Sequence, residues 1–167
     1  MKTIPLSKGK VAIVDNEHFE AINQFKWSAH SRGYAYRQAK GKDGKRRSIL
    51  LHRFVMELAG REPGHRTDHI NGERLDCRAD NLRAATASQN GANSKRRINN
   101  TSGFKGVSWH GCGKWQAYIR VHGESRRHLG LFDCKVQAAC AYDAAARKAW
   151  GQFAALNFPE TDYTFAA

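Results

Sequence analysis

No apolar run in this chain reaches the roughly 18 residues that a membrane-spanning helix needs, and no basic-then-apolar stretch opens it. The expectation is therefore a soluble, intracellular protein without a membrane partner. Four cysteines are present, Cys77, Cys112, Cys134 and Cys140, but no two form a C-x-x-C pair. A zinc site of the usual structural spacing is thus unwritten. His110 with Cys112 and His128 with Cys134 are the nearest approaches to a mixed site, and no structural zinc is expected. Reduced, partly buried thiols are the plainer reading. There is neither a fixed-period repeat nor a low-complexity tract, so the chain is not a solenoid or an array. Acidic residues are also scarce: 15 Asp and Glu stand against 28 Lys and Arg in 167 residues, a net charge of +13. That balance points to a polyanionic partner, nucleic acid first and an acidic membrane surface second. Hydrophobic residues make up 41%, which is enough for a core and argues against wholesale disorder.

The first segment runs from Met1 to about Gly64. Within it "KVAIVD" (Lys10 to Asp15) reads as a strand, and Asp15 or Asn16 as the cap of a short helix through "EHFEAINQF". "GYAYRQAKGKDGKRRSILL" has the form of a hairpin turning on Gly-Lys-Asp-Gly. "LHRFVMELAG" suits a helix that ends at Gly60 and carries the chain towards Pro63. His52 in that helix reads first as a packed structural residue and second as a phosphate contact. His65 reads as a solvated loop residue.

The second segment holds "DHINGERLDCRADNLRAATASQN" (Asp68 to Asn90). Asn71-Gly72 is a turn signal, because both residues tolerate positive φ. Asp68 and His69 thus end an extended arm, and the chain is expected to double back through Leu75. Thr86 followed by Gln89 has the form of a capping box that starts a helix carrying Asn90. Hydrolysis of a phosphodiester needs an activated water and relief of charge on the phosphorane and the leaving oxygen. A histidine can supply the first and a divalent ion on oxygen ligands the second. Adjacent residues on an extended chain face opposite ways, so Asp68 can hold an ion while His69 addresses the other side of the phosphate.

This segment resembles the HNH endonucleases, the ββα-metal fold, and in particular the homing endonucleases of phages and group I introns. The matching text is "LHR" (Leu51 to Arg53), "DHINGERLDCRADNLR" (Asp68 to Arg83) and "TASQNGAN" (Thr86 to Asn93). The resemblance implies His69 as general base, Asp68 and Asn90 as metal ligands, and Asn81 as the residue that orients the loop or the base. Many members carry His at the last position, where this chain has Asn90. That departure favours a single hard ion, Mg²⁺ or Mn²⁺. The resemblance also implies a DNA substrate, strand nicking, and the cytoplasm of a bacterium hosting a phage or mobile intron.

In the third segment "FKGVSWH", "KWQAYIRVHG" and "RRHLGLF" read as three antiparallel strands. "DCKVQAACAYDAAARKAWG" follows as an Ala-rich helix closed by Gly151. "NSKRRINNTSG" before them reads as a basic linker. From Lys95 to Gly130 the cations are Lys95, Arg96, Arg97, Lys105, Lys114, Arg120, Arg126 and Arg127, against the single acid Glu124. Tyr142, Trp150, Phe153 and Phe158 read as core. The text from Gly103 to Pro159 resembles the plant Apetala-two/ethylene-response-factor DNA-binding domain, which is also found fused to phage HNH nucleases. That family lays its three-stranded sheet in the major groove and braces it with the helix. The resemblance implies DNA contacts from Lys105, Trp115, Arg120 and Arg126. Ser108 and His128 stand where the family often has Arg and Trp, and Tyr118 where an acid is common, so the resemblance does not carry over a plant-type target sequence. Alternation in "KWQAYIRV" conflicts with this list, since it groups Trp115 with Ala117, Ile119 and Val121. Either a bulge intervenes or Trp115 packs structurally.

The expected fold is α+β. A ββα-metal HNH module with an N-terminal strand and helix extension fills residues 1–93, with its motif core at 66–93. A basic linker follows at 94–102. A three-stranded antiparallel sheet packed on one helix fills residues 103–160. The expected activity is sequence-directed, metal-dependent cleavage of double-stranded DNA by a monomer, with the C-terminal domain placing the cut. The runner-up is a DNA-binding transcriptional regulator whose nuclease module is inactive. RNA or membrane-surface binding by charge alone is a third class, and the sheet module speaks against it.

Overall fold

The computed structural model describes residues 1–62, 64, 66–96, 98–121 and 124–159. Pro63, His65, Arg97, His122, Gly123 and the residues from 160 onward lie outside the described residues. The chain forms two compact units, Met1–Thr86 and Ala87–Ala167, and the mixture of helix with small antiparallel sheets is α+β.

In the first unit β1 (Lys2–Pro5) and β2 (Val11–Val14) pair antiparallel, with Ile4 opposite Ala12. Period-two alternation sends Ile4, Ala12 and Val14 into the core, each 1% exposed or less. Helix α1 (Asn16–Asn23) buries Ile22 against them. Asp15 occupies its N-cap position without capping it; the carboxylate instead accepts a hydrogen bond from the Ala79 backbone N–H at 2.7 Å. The expected cap is thus a tie across 64 residues, which satisfies a backbone donor in the HNH-like loop. Strands β3 (Ser28–Ala29), β4 (Ala35–Lys40) and β5 (Arg46–Leu50) form a sheet in that order. The β4–β5 hairpin turns at the Gly-Lys-Asp-Gly signal, where Gly44 takes a φ of 74°.

Helix α2 (Leu51–Leu58) follows β5 without a break and buries Leu51, His52, Val55 and Met56. These positions repeat at one and four residues, the spacing of a single helix face. Each fully buried aliphatic side chain contributes about 1.5–3 kcal/mol, so this face fastens the helix that carries His52. The final pair of strands is β6 (Arg66–His69) and β7 (Leu82–Ala85), with Asp68 opposite Arg83 and His69 opposite Leu82.

The connection between β6 and β7 differs from the tight reversal expected at Asn71-Gly72. Gly72 does adopt a φ of 71°, and its N–H donates to the His69 carbonyl. The chain then runs out through Leu75 and Cys77 to a 3-10 turn at Ala79–Asn81 before β7 begins. What holds this loop out is β2. Ile13 donates to the Leu75 carbonyl and accepts from the Cys77 N–H, both at 2.8 Å. Cys77 is fully buried, and burial pushes its thiol up to about 12, so it packs as a small apolar side chain.

The second unit opens with α3 (Ala87–Ala92), one residue after the expected start and only six residues long. Strands β8 (Val107–His110), β9 (Lys114–Ile119) and β10 (Arg127–Phe132) form an antiparallel sheet with β9 in the middle. Helix α4 (Lys135–Trp150) packs on it. Ala138 and Ala139 on α4 lie against Val107 and Ala117, all 1% exposed or less. The small side chains let helix and sheet approach closely. Gly106 is the tightest point: a Cβ there would sit 1.9 Å from the Tyr142 ring, and its φ is 76°. Asp143 is fully buried and accepts hydrogen bonds from Asn157 and from the Phe158 N–H. It thereby ties the segment after α4 to the helix.

Candidate functional site

Asp68 and His69 sit at the end of β6, 3% and 5% exposed. Buried charge needs a partner, and for Asp68 it is Arg83, directly across the ladder. Arg83 Nε and Nη2 each lie 2.9 Å from Asp68 Oδ2. His69 stands edge-on to His52 of α2, with ring centroids 5.0 Å apart and planes at 79°. Tyr34 completes the cluster at 5.2 Å from His52 and 6.1 Å from His69, and the Arg74 guanidinium stacks 5.0 Å from the Tyr34 ring.

Both histidines are held neutral. Burial lowers His52 to about 3, helped by His69 and Arg53. Burial also lowers His69 to about 4, against the opposing pull of the Asp68 and Asp76 carboxylates and with a further push from Arg74. A neutral imidazole at ordinary pH can accept a proton, which is what a general base requires. His52 Nδ1 makes no hydrogen bond among the described residues. The structure thus gives His52 a packed position, in direct contact with the ring of His69.

Asn81 works through the loop. Its Oδ1 accepts from the Asn71 N–H at 3.0 Å, and its Nδ2 donates to Asn71 Oδ1 and to the Asp76 carbonyl. Its own carbonyl accepts from the Ile70 N–H. Asn71 in turn donates to Asp76, whose carboxylate is gripped by Arg78 at 2.7 and 2.8 Å. One carboxamide therefore clamps both ends of the turn that follows His69. This matches a donor-and-acceptor side chain at that position, where a carboxylate could not donate.

On the second unit the outer face of the sheet carries Ser108, Gln116, Tyr118 and His128. Gln116 donates to Ser108 at 2.9 Å, and Tyr118 lies opposite His128. Arg126 stacks on the Tyr118 ring at 3.2 Å, and Arg120 and Arg126 are exposed. Trp115 is on the other side, packed with Val107, Ala117 and the helix, and edge-on to Trp109 at 4.9 Å. The conflict in the alternation is thereby resolved. Trp115 packs, and the register slip in the sheet falls in β10 between His128 and Gly130. Lys105 is engaged as well: its ammonium donates to the Ala92 and Ser94 carbonyls, and burial brings it down to about 8. At the β8–β9 turn His110 Nδ1 lies 2.9 Å from Cys112 Sγ.

The family model for HNH endonuclease matches residues 50–92, the span that contains His52, Asp68, His69, Asn81 and Asn90. Residues 50–92 are an HNH endonuclease match. An uncharacterized HNH endonuclease of Acanthamoeba polyphaga mimivirus is 29% identical over 153 residues, covering 90% of this chain and 76% of its own length. Over a shorter region the chain is 43% identical to APETALA2-like protein 2 of rice, Oryza sativa, and 49% identical to Dehydration-responsive element-binding protein 2D of Arabidopsis thaliana. These matches cover 40% and 35% of this chain, and only 16% and 29% of the plant proteins.

HNH nucleases generally use a divalent metal ion. In the matched segment Asp68 offers a carboxylate, the oxygen donor that a hard cation takes, and Arg83 pairs with its Oδ2. Asn90 lies half-buried on α3 of the second unit and carries a carboxamide oxygen. One further group of possible ligands exists among the described residues. Asp15, Glu17 and His18 place ligand atoms within 4.8 Å of one another, at the junction of β2 and α1 and outside the HNH span. Arg83, Tyr34 and Asp15 were not legible as site residues. Arg83 could have been found from the ladder register, four places before α3; the other two meet the site only through the tertiary fold.

Proposed function

We propose that the chain is a divalent-metal-dependent DNA endonuclease whose first unit carries the base and whose second unit holds DNA. The observation that carries this reading is a buried, neutral His69 beside a charge-paired Asp68, on a loop clamped by Asn81, inside the HNH span. His69 takes a proton from water as that water attacks the phosphorus. Asn81 keeps the His69 backbone in place through the turn it clamps, and His52 fixes the ring from behind. Asp68 would hold a single ion, Mg²⁺ or Mn²⁺, with Asn90 as the further oxygen ligand that the HNH resemblance implies. When bound, that ion supplies positive charge to the phosphorane and the leaving 3′ oxygen.

The second unit supports double-stranded DNA binding by its shape and charge. A sheet face with Ser108, His128 and the stacked Arg126, flanked by Arg120, offers donors to base edges and phosphates. Lys105 and Trp115 act from behind, through packing. The names of the plant relatives, which include element-binding proteins, favour the same partner. On this reading the sheet places the cut, the enzyme is of the homing type, and a monomer with one HNH segment nicks one strand.

The test is cleavage of a supercoiled plasmid library by the purified chain with Mg²⁺, Mn²⁺ or EDTA. Metal-dependent conversion to nicked circles is the expected result. Linear product would correct nicking to double-strand cutting, and tight DNA binding without cleavage in any metal would favour a regulator with a silent nuclease module.

A further inference from the structure

A cleft of about 710 Å³ lies wholly within the second unit, between the segment after α3 and the end of the sheet. Its lining includes Lys95, Arg96, Lys105, Arg120 and Arg126, and no Asp or Glu is among its described lining residues. Five cationic side chains along one cleft set up a positive potential there, so the cleft attracts an anion. Two further observations point the same way. The Trp150 Nε1–H lines the cleft, is buried, and makes no hydrogen bond among the described residues. An indole N–H is a donor only, so it can be satisfied only by an acceptor. The Arg126 guanidinium is held 3.2 Å over the Tyr118 ring, which pre-positions a planar, multi-donor group for an oxyanion.

The wall formed by the chain after α3 is pinned as well. Lys105 ties the Ala92 and Ser94 carbonyls, and Ala155 donates to Ala92 from beyond α4. This is a built groove, in which Lys95 and Arg96 follow directly on a tethered segment. Tyr118 and Arg126 belong both to the cleft and to the outer sheet face, so the two surfaces are continuous.

We propose that this cleft seats the phosphodiester backbone of a DNA strand that leaves the sheet face, making the linker cations part of the DNA-binding surface. The inference rests on the DNA reading above and adds a second contact region to it. A backbone phosphate suits the cleft because its donors are cations and one N–H, without a pattern that reads bases.

The experiment measures binding of the full chain to a mixed-sequence duplex in EDTA, as log Kd against log salt. Three proteins are compared: wild type, Lys95→Gln/Arg96→Gln, and a control, Lys10→Gln/Lys26→Gln, that removes the same charge from exposed positions on the first unit. Each phosphate contact contributes about 0.9 to the slope. The cleft variant is expected to lose about 1.8, and the control less than half of that. Equal slopes in wild type and cleft variant, or equal losses in the variant and the control, overturn the cleft while leaving DNA binding intact. Failure of the wild type to bind duplex overturns the DNA reading and the cleft with it. A parallel titration with tripolyphosphate separates the two sources of phosphate. Saturable binding of the free anion that leaves duplex binding unchanged assigns the cleft to a small ligand and overturns the proposal.

Discussion

Replacing Arg83 with Leu isolates the electrostatic arrangement at the candidate metal position. Side-chain exposure is 5% for Asp68 and 14% for Arg83, and the Nε hydrogen bond and the Nη2 contact converge on one oxygen at 2.9 Å. Removing one partner of a pair this buried takes the guanidinium away from a buried carboxylate, which costs about 3–5 kcal/mol. Removing both costs less, so Arg83→Leu/Asp68→Asn is expected to recover much of the loss. If Asp68 is a metal ligand, the single variant should also gain from Mg²⁺ or Mn²⁺, because the ion replaces the missing guanidinium. Saturation at 100 times Kd returns about 2.7 kcal/mol. Hydrogen exchange of the β6 and β7 amides reads the stability of this region directly. A double variant as unstable as the single one would refute the argument from buried charge. Equal stabilisation of Arg83→Leu and Asp68→Asn by the ion would refute Asp68 as its ligand.

Three other outcomes follow from the same physics. His52 and His69 have folded values near 3 and 4, below the ordinary 6.5, so the unfolded chain binds protons first. Stability of the first unit is therefore full above pH 6.5 and falls as pH drops towards 4, by about 1.4 kcal/mol per pH unit for each histidine. Urea midpoints across that range should show the slope, and His52→Asn should reduce it; a wild type with a flat profile contradicts the neutral pair. Asn81→Ala removes three side-chain hydrogen bonds at about 1 kcal/mol each. It should destabilise the first unit by about 3 kcal/mol and speed exchange of the Ile70 and Asn71 amides, while unchanged exchange would show that Asn81 is no clamp. Gly106→Ala drives a Cβ into Tyr142 at a positive φ, so it should destabilise the second unit by at least about 3 kcal/mol in a thermal melt. A near-neutral effect would mean that the α4–sheet contact is loose.

What was legible in the sequence was local. The β4–β5 hairpin carries its own turn signal, α2 its own apolar face, and the three strands and α4 of the second unit their own alternation and glycine breaks. The pair Asp68 and His69 could be read because it lies next to a turn. β1 and β3 escaped notice because four residues ending in proline, or two residues alone, show no period. The loop after His69 was misread for a long-range reason. Asn71-Gly72 does turn, but β2 and Asp15 then hold the chain out as far as Ala79, and nothing local to the loop records that support. The same holds for Lys105. A basic residue in a basic segment reads as a phosphate contact, and only the fold shows its ammonium committed to two carbonyls.

His69 is the residue on which the proposed cleavage depends. The most direct test is single-turnover cleavage of plasmid DNA in Mg²⁺ or Mn²⁺ by wild type and His69→Ala, with duplex binding measured on the same two proteins. Cleavage should fall by at least about 100-fold in the variant, with binding unchanged. Cleavage at the wild-type rate by His69→Ala would contradict that dependence.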